Sequence, residues 1–139
     1  MAPMLVMRFL HNTDLETKEL VAVRAFQWGA AKPDHYHTLV DMVNLLILAG
    51  SSDDKRTYAK DRAERVYLPA LETIKTRFDK TGKLGVSATE LKLMLEMVEF
   101  QKQFWLRQPS ELYHTACNEL QAFYDELGTR RAAERGAAA

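Results

Sequence analysis

A single cysteine, Cys117, stands among the 139 residues. That excludes an internal disulfide and a cysteine-built zinc cage, and it makes a reducing cytoplasm the default compartment. A surplus of one charge is also missing: lysine plus arginine total 19, aspartate plus glutamate total 19, and the net charge is zero. A dedicated nucleic-acid binder normally carries a basic excess, so that class is not expected here. Zero net charge also leaves self-association without an electrostatic barrier.

Long hydrophobic runs are absent as well. No stretch approaches the ~18 apolar residues needed to span a bilayer, and the best candidate, Leu45 to Ala49, reads as part of a buried helix. The apolar opening Met1 to Leu10 is short and broken by Arg8, without the charged leading region or small-residue cleavage site of a signal peptide. No GxGxxG, GxxxxGK[ST] or GxSxG sequence is present, which removes the commonest phosphate-cradling and nucleophile-elbow motifs. There is no internal repeat, and strand-like alternation is confined to Leu5–Leu10, an extended arm or a segment that pairs with a second copy.

What the sequence does contain is helical punctuation. An apolar fraction of 47% and a charged fraction of 27% suit one globular domain. Thr13 and Glu16 form a capping box ahead of a helix from about Asp14 to Gly29. Asp34 is placed to cap a second helix that runs to Ala49 and stops at Gly50. Ser51, Ser52, Asp53 and Asp54 open a third, whose stripe is Ala59, Ala63, Val66, Tyr67, Ala70, Leu71, Ile74 and Phe78. Pro69 falls inside that stripe, so a kink or break is expected there before Gly82 ends the helix. Ser87 and Glu90 form a second capping box for a fourth helix reaching about Gln108, and Pro109 starts a fifth or bends the fourth. The fifth is expected to end at Leu127, before Gly128. The reading is thus an all-α bundle of about five helices: one domain over residues 1–128, with an N-terminal arm at 1–12 and a flexible, alanine- and arginine-rich tail at 129–139.

Two of these helices are apolar on more than one face. The second carries Leu39, Val40, Val43, Leu46 and Ile47 on one side and Met42, Leu45 and Leu48 on others. The fourth carries Leu91, Met94, Leu95, Val98 and Trp105 on one stripe and Leu93, Met97, Phe100 and Phe104 on another. A helix apolar nearly all round must be covered nearly all round. Either both are central helices of a compact bundle, or one face meets another chain. Because five helices do not easily enclose two central ones, the second reading is favoured: a homodimer or a protein partner held by Trp105, Phe104, Phe100 and Met97, with Leu45 and Leu48 as alternatives.

Motifs that suggest chemistry are incomplete. Asp79 to Glu90 has the length of an EF-hand loop, with Ser87 at position nine. However, Thr81, Lys83 and Leu84 stand where a carboxylate, an oxygen ligand and the turn glycine belong, so no calcium is expected. Glu111 and His114 share the spacing of di-iron bundles, but no second copy accompanies them, and Glu96 and Glu99 suit an exposed face better. Cys117 and His114 lie three apart without an orienting third group. His35 and His37, two apart, point to opposite sides of a helix. Lys55, Arg56, Lys60, Arg62 and Arg65 are interleaved with Asp53, Asp54, Asp61 and Glu64, the pattern of a solvated face. No catalytic residue, metal site or cofactor is assigned.

The stretch from Arg77 to Arg107, with Thr81-Gly82-Lys83, Gly85, Ser87 and Glu90-Leu91 ahead of a long amphipathic helix, resembles small all-helical accessory proteins encoded by proteobacterial phages and plasmids. It covers under a quarter of the chain. The resemblance implies a binding protein, an inhibitor or regulator of a host protein, and supplies no catalytic residues. The expected function is therefore a non-enzymatic protein-binding or regulatory module. A metal-binding bundle using Glu111 and His114, or a nucleic-acid accessory factor using the third helix with Arg130, Arg131 and Arg135, stands as the alternative.

Overall fold

The computed structural model describes residues 18–138, with side chains through residue 136. The capping box at Thr13 and Glu16, the arm of residues 1–12 and Ala139 lie outside the described residues. Within them the chain is helical, with no strand and no helix long and apolar enough to cross a membrane. We number the helices α1 (18–27), α2 (Pro33–Gly50), α3 (Thr57–Arg62), α4 (Leu68–Thr81), α5 (Ala88–Leu106) and α6 (Ser110–Ala138).

α1 buries Ala22, Val23 and Phe26 at helical spacing. Its end is a Schellman turn: Gly29 adopts φ 69°, its N–H reaches Phe26 O at 3.2 Å, and Ala30 N–H reaches Ala25 O at 2.8 Å. α2 starts two residues earlier than its sequence suggested. Pro33 occupies the first turn, where its missing N–H costs nothing, and the cap position is Lys32 rather than Asp34. His35 Nδ1 accepts from the Lys32 N–H at 2.9 Å, so a histidine takes the reach-back role usually filled by glutamate.

α2 is the central helix. Leu39, Met42, Val43, Leu45, Leu46 and Ala49 are all buried, and α3, α4, α5 and α6 all lie against it. Gly50 closes it, for a reason that concerns packing more than termination. A Cβ there would meet Lys60 Cβ at 2.5 Å, Lys60 N at 2.6 Å and Arg56 O at 2.9 Å. The start of α3 therefore crosses the end of α2 at backbone distance, which only glycine allows.

Asp53 caps the entry to this crossing, accepting from Lys55 N–H at 2.8 Å. From Thr57 the chain then stays helical through Thr81. The disturbance expected near Pro69 is a π turn at Ala63–Tyr67, with Leu68 N–H bonded back to Ala63 O. Two features of the sequence call for it. The buried residues Ala59, Ala63, Tyr67 and Leu71 recur every four positions, and an α-helix carries each about 40° past the last. A wider π turn absorbs that drift and keeps all four facing α2 and α5. It also eases the ring of Pro69 past the turn before it, where Glu64 and Arg65 are exposed and their carbonyls meet water. α5 fastens the turn. The Tyr67 ring packs edge-on against Phe100 at 5.8 Å, and its hydroxyl lies 3.3 Å from both Arg62 Nε and Glu96 Oε1. Arg62 and Glu96 complete an ion pair across the same point.

Gly82 ends α4 at φ 72°, and Ser87 opens α5 with the expected capping box: Ser87 Oγ accepts from Glu90 N–H at 3.1 Å, and Glu90 Oε1 from Ser87 N–H at 2.8 Å. α5 and α6 are separate helices hinged at Pro109. α6 lies antiparallel to α2, since Gln108 at its start meets Arg56 beyond the C-terminus of α2, while Tyr124 meets Asp41 further back. The expected end at Leu127 is not observed, because α6 continues through Gly128 to Ala138. The alanines, arginines and glutamate beyond Gly128 are strong helix formers, and Arg130 pairs with Glu126 at 3.0 Å across one turn. At 29 residues α6 is about 43 Å long against about 27 Å for the 18 residues of α2, so its C-terminal end runs past α2.

The α2–α3 crossing makes a direct prediction. Gly50→Ala should lower stability by ~1–3 kcal/mol, because backbone rather than a flexible side chain must move. A urea midpoint equal to wild type would show that the two helices do not approach this closely.

Candidate functional site

The residues expected to contact a partner are mostly occupied within the chain itself. Met97 is 0% exposed, Phe104 2%, Trp105 4% and Leu45 7%, whereas Phe100 and Leu48 are half-buried. Phe104 and Trp105 meet edge-on at 4.9 Å, Trp105 leans on Tyr113 of α6 at 4.9 Å, and Phe100 and Phe104 both touch the Tyr58 ring. Tyr58 of α3 and Tyr67 of the π turn cover Phe100 and Phe104 on the second apolar stripe of α5, and Tyr113 of α6 covers Trp105, so Phe104 and Trp105 are core while Phe100 stays half-buried. Their enclosure follows from reach rather than from the number of helices. The widened π turn and the interruption at Pro109 let two elements wrap α5 from different sides.

The other sequence candidates are scattered. Glu111 and His114 are exposed, and His114 stacks on the Tyr113 ring. Among the described residues, no group of three or more His, Cys, Asp or Glu side chains is placed to hold a metal ion. In the EF-hand-like loop Asp79 pairs with Lys75 at 3.0 Å. Glu90 is taken by Ser87 and by a two-pronged contact from Arg77 at 2.9 and 3.0 Å, and this Arg77 contact holds its carboxyl below the usual range. His35 is bound to Lys32, and His37 lies edge-on to Tyr36. On the basic face Arg56 pairs with Asp53, Lys60 with Glu64 and Arg62 with Glu96.

Two features that sequence reasoning passed over stand out instead. The first is Trp28, 76% exposed at the C-cap of α1. Val21, 55% exposed, lies seven residues earlier on the same side of the helix. α1 and α2 are joined by a short turn, so Trp28 sits at the end of the bundle past which α6 extends. On α6 Phe123 is 58% exposed, beside the stripe that buries Tyr113 and Ala116 further back.

The second is a polar cluster where α1, α2 and α6 meet. Glu19 lies on the buried stripe of α1, three, four and seven residues before Ala22, Val23 and Phe26, and is only 3% exposed. Among the described residues its Oε2 has no hydrogen-bond partner. Burial pushes its carboxyl up to about 8; Lys18 opposes this and Asp41 adds to it. On α6 the Tyr113 hydroxyl hydrogen-bonds the Cys117 thiol, and burial raises both groups above their ordinary values. Tyr124 donates a short hydrogen bond to Asp41 of α2; burial, then this bond, pushes its phenol up to about 12. A thiol held in its neutral form is a poor nucleophile, so the cluster is not arranged for Cys117 chemistry. The available signal was Glu19 at a core position of an otherwise regular stripe.

The contrast between the two tryptophans is measurable. Trp105→Ala and Phe104→Ala should each cost ~3–5 kcal/mol in urea unfolding. Trp28→Ala and Phe123→Ala should stay within about 0.5 kcal/mol of wild type. A stable, wild-type-like Trp105→Ala would place that residue on a surface after all.

The chain matches no protein-family model, no curated protein and no solved structure, so its function is argued from these residues alone.

Proposed function

We propose that the chain is a non-enzymatic protein-binding module of regulatory type, and that it binds through the end of the bundle that presents Trp28. The exposure of Trp28 carries this reading. Tryptophan is the side chain most enriched among residues that dominate binding energy, and a monomer gains nothing by leaving its apolar area in water. The Schellman turn at Gly29 fixes the backbone beneath it, so little order remains to be imposed when a partner arrives. Val21 extends the same face, and Phe123 adds an apolar side chain on the projecting helix. The polar groups of the bundle support binding over catalysis: Glu90 is engaged in a cap and an ion pair, and the Cys117 thiol is held neutral. A regulatory binding role is also what the resemblance of residues 77–107 implies.

A photoreactive residue at position 28, introduced in the cells that make the chain, tests the proposal. It should cross-link to a discrete protein, and the same residue at exposed Lys92 of α5 should not. Absence of any cross-linked product at position 28 would sink the assignment.

A further inference from the structure

We propose that Glu19 is a proton-controlled latch for α1: when neutral it lets the helix lie on α2 and α6, and when ionised it drives the helix off and uncovers Cys117. The inference goes beyond the binding role and does not depend on it. It stands on placement. Glu19 is 3% exposed at a three-helix junction, and among the described residues its Oε2 has no partner to compensate a negative charge. The groups that act on this junction are Lys18 from α1, Asp41 from α2, and Tyr113 with Cys117 from α6. Asp41 is a second carboxylate, already bound by Tyr124, so ionised Glu19 would face a like charge held in place on α2. Lys18, on the exposed side of α1, reaches the carboxyl only through the field.

An ionised Glu19 regains its hydration only by leaving the junction. The element that moves is α1, because α2 buries seven residues against its neighbours while the described residues of α1 bury Ala22, Val23 and Phe26 alone besides Glu19. The folded-state value is raised from 4.5 to about 8, so docking of α1 carries no penalty below the lower figure. It weakens as pH rises between the two, and the full penalty is reached above about 8. The latch therefore holds in acid and loosens in mild alkali.

Cys117 reports the event, being the only cysteine and half-buried beside Tyr113. The experiment compares its rate of reaction with an aromatic disulfide reagent in wild type and in Glu19→Gln, at about pH 6 and about pH 9. Comparing the two proteins at one pH cancels the ordinary ionisation of the thiol. The expected result is a wild-type rate already above that of Glu19→Gln at the lower pH, with the ratio growing by about tenfold or more at the higher. Ionised Glu19 acting only through its charge would raise the thiol pKa and slow wild type, so opening and electrostatics have opposite signs. Labelling at the higher pH should depend weakly on urea, as local opening does. Equal or slower labelling of wild type there, or labelling with the full urea dependence of global unfolding, would overturn the latch. Glu19→Leu, also unable to ionise, gives the same contrast should the amide of Glu19→Gln unsettle the fold.

Discussion

A helix apolar on more than one face has to be covered on more than one face, and α2 imposes that demand on the others. Leu39, Met42, Val43, Leu45 and Leu46 point in enough directions that no single neighbour covers them. α6 lies antiparallel along one side, α4 is tied on by the Tyr36 hydroxyl donating to Leu71 O at 2.9 Å, and α3 crosses its end over Gly50. The π turn follows from the same demand. Buried residues recurring in fours keep facing α2 and α5 only if the helix is locally underwound, and Pro69 removes the one donor that would resist this.

Covering α2 consumes apolar surface that the sequence alone seemed to leave over. Met97, Phe104 and Trp105 go into the core, where a large aromatic contributes more than it would at a mobile contact. Once they are spent, the remaining exposed large hydrophobics divide into two kinds. Tyr58 packs its ring against Phe100 and Phe104, Tyr124 bonds Asp41, and Leu95 and Leu106 lie on α5. Val21, Trp28 and Phe123 lie on or at the end of α1 and midway along α6. The binding role proposed for the chain therefore rests on surface left over after the core is satisfied.

The helical class, the capping box at Ser87 and Glu90, the helix stop at Gly82 and a disturbance at Pro109, either a new start or a bend, were legible because each is set by residues within one or two turns. The burial of α5 was not, because it depends on where distant elements cross. Gly50 was readable as a helix stop, but its close approach to Lys60 is a fact about two helices. Gly128 misled in the opposite direction. One glycine costs about 1 kcal/mol in a helix interior, and the alanine- and arginine-rich run after it restores enough propensity for α6 to continue. The orphaned oxygen of Glu19 became visible only once α1, α2 and α6 were together, although its place in the stripe of Ala22, Val23 and Phe26 was open to inspection.

Magnitudes decide which element is poised to move. Burying one valine and one phenylalanine contributes roughly 1.5–3 kcal/mol each, and the alanine adds less. Holding a carboxyl whose value is raised from 4.5 to about 8 works against the ionised form by on the order of 5 kcal/mol. The two quantities are similar for α1, and among the described residues no other helix holds an orphaned buried carboxyl. Between 4.5 and about 8 each unit of pH moves that balance away from docking. The helix capped by Trp28 is thus also the one whose seat depends on a single proton, which puts the candidate contact residue and the candidate switch on α1 and its C-cap.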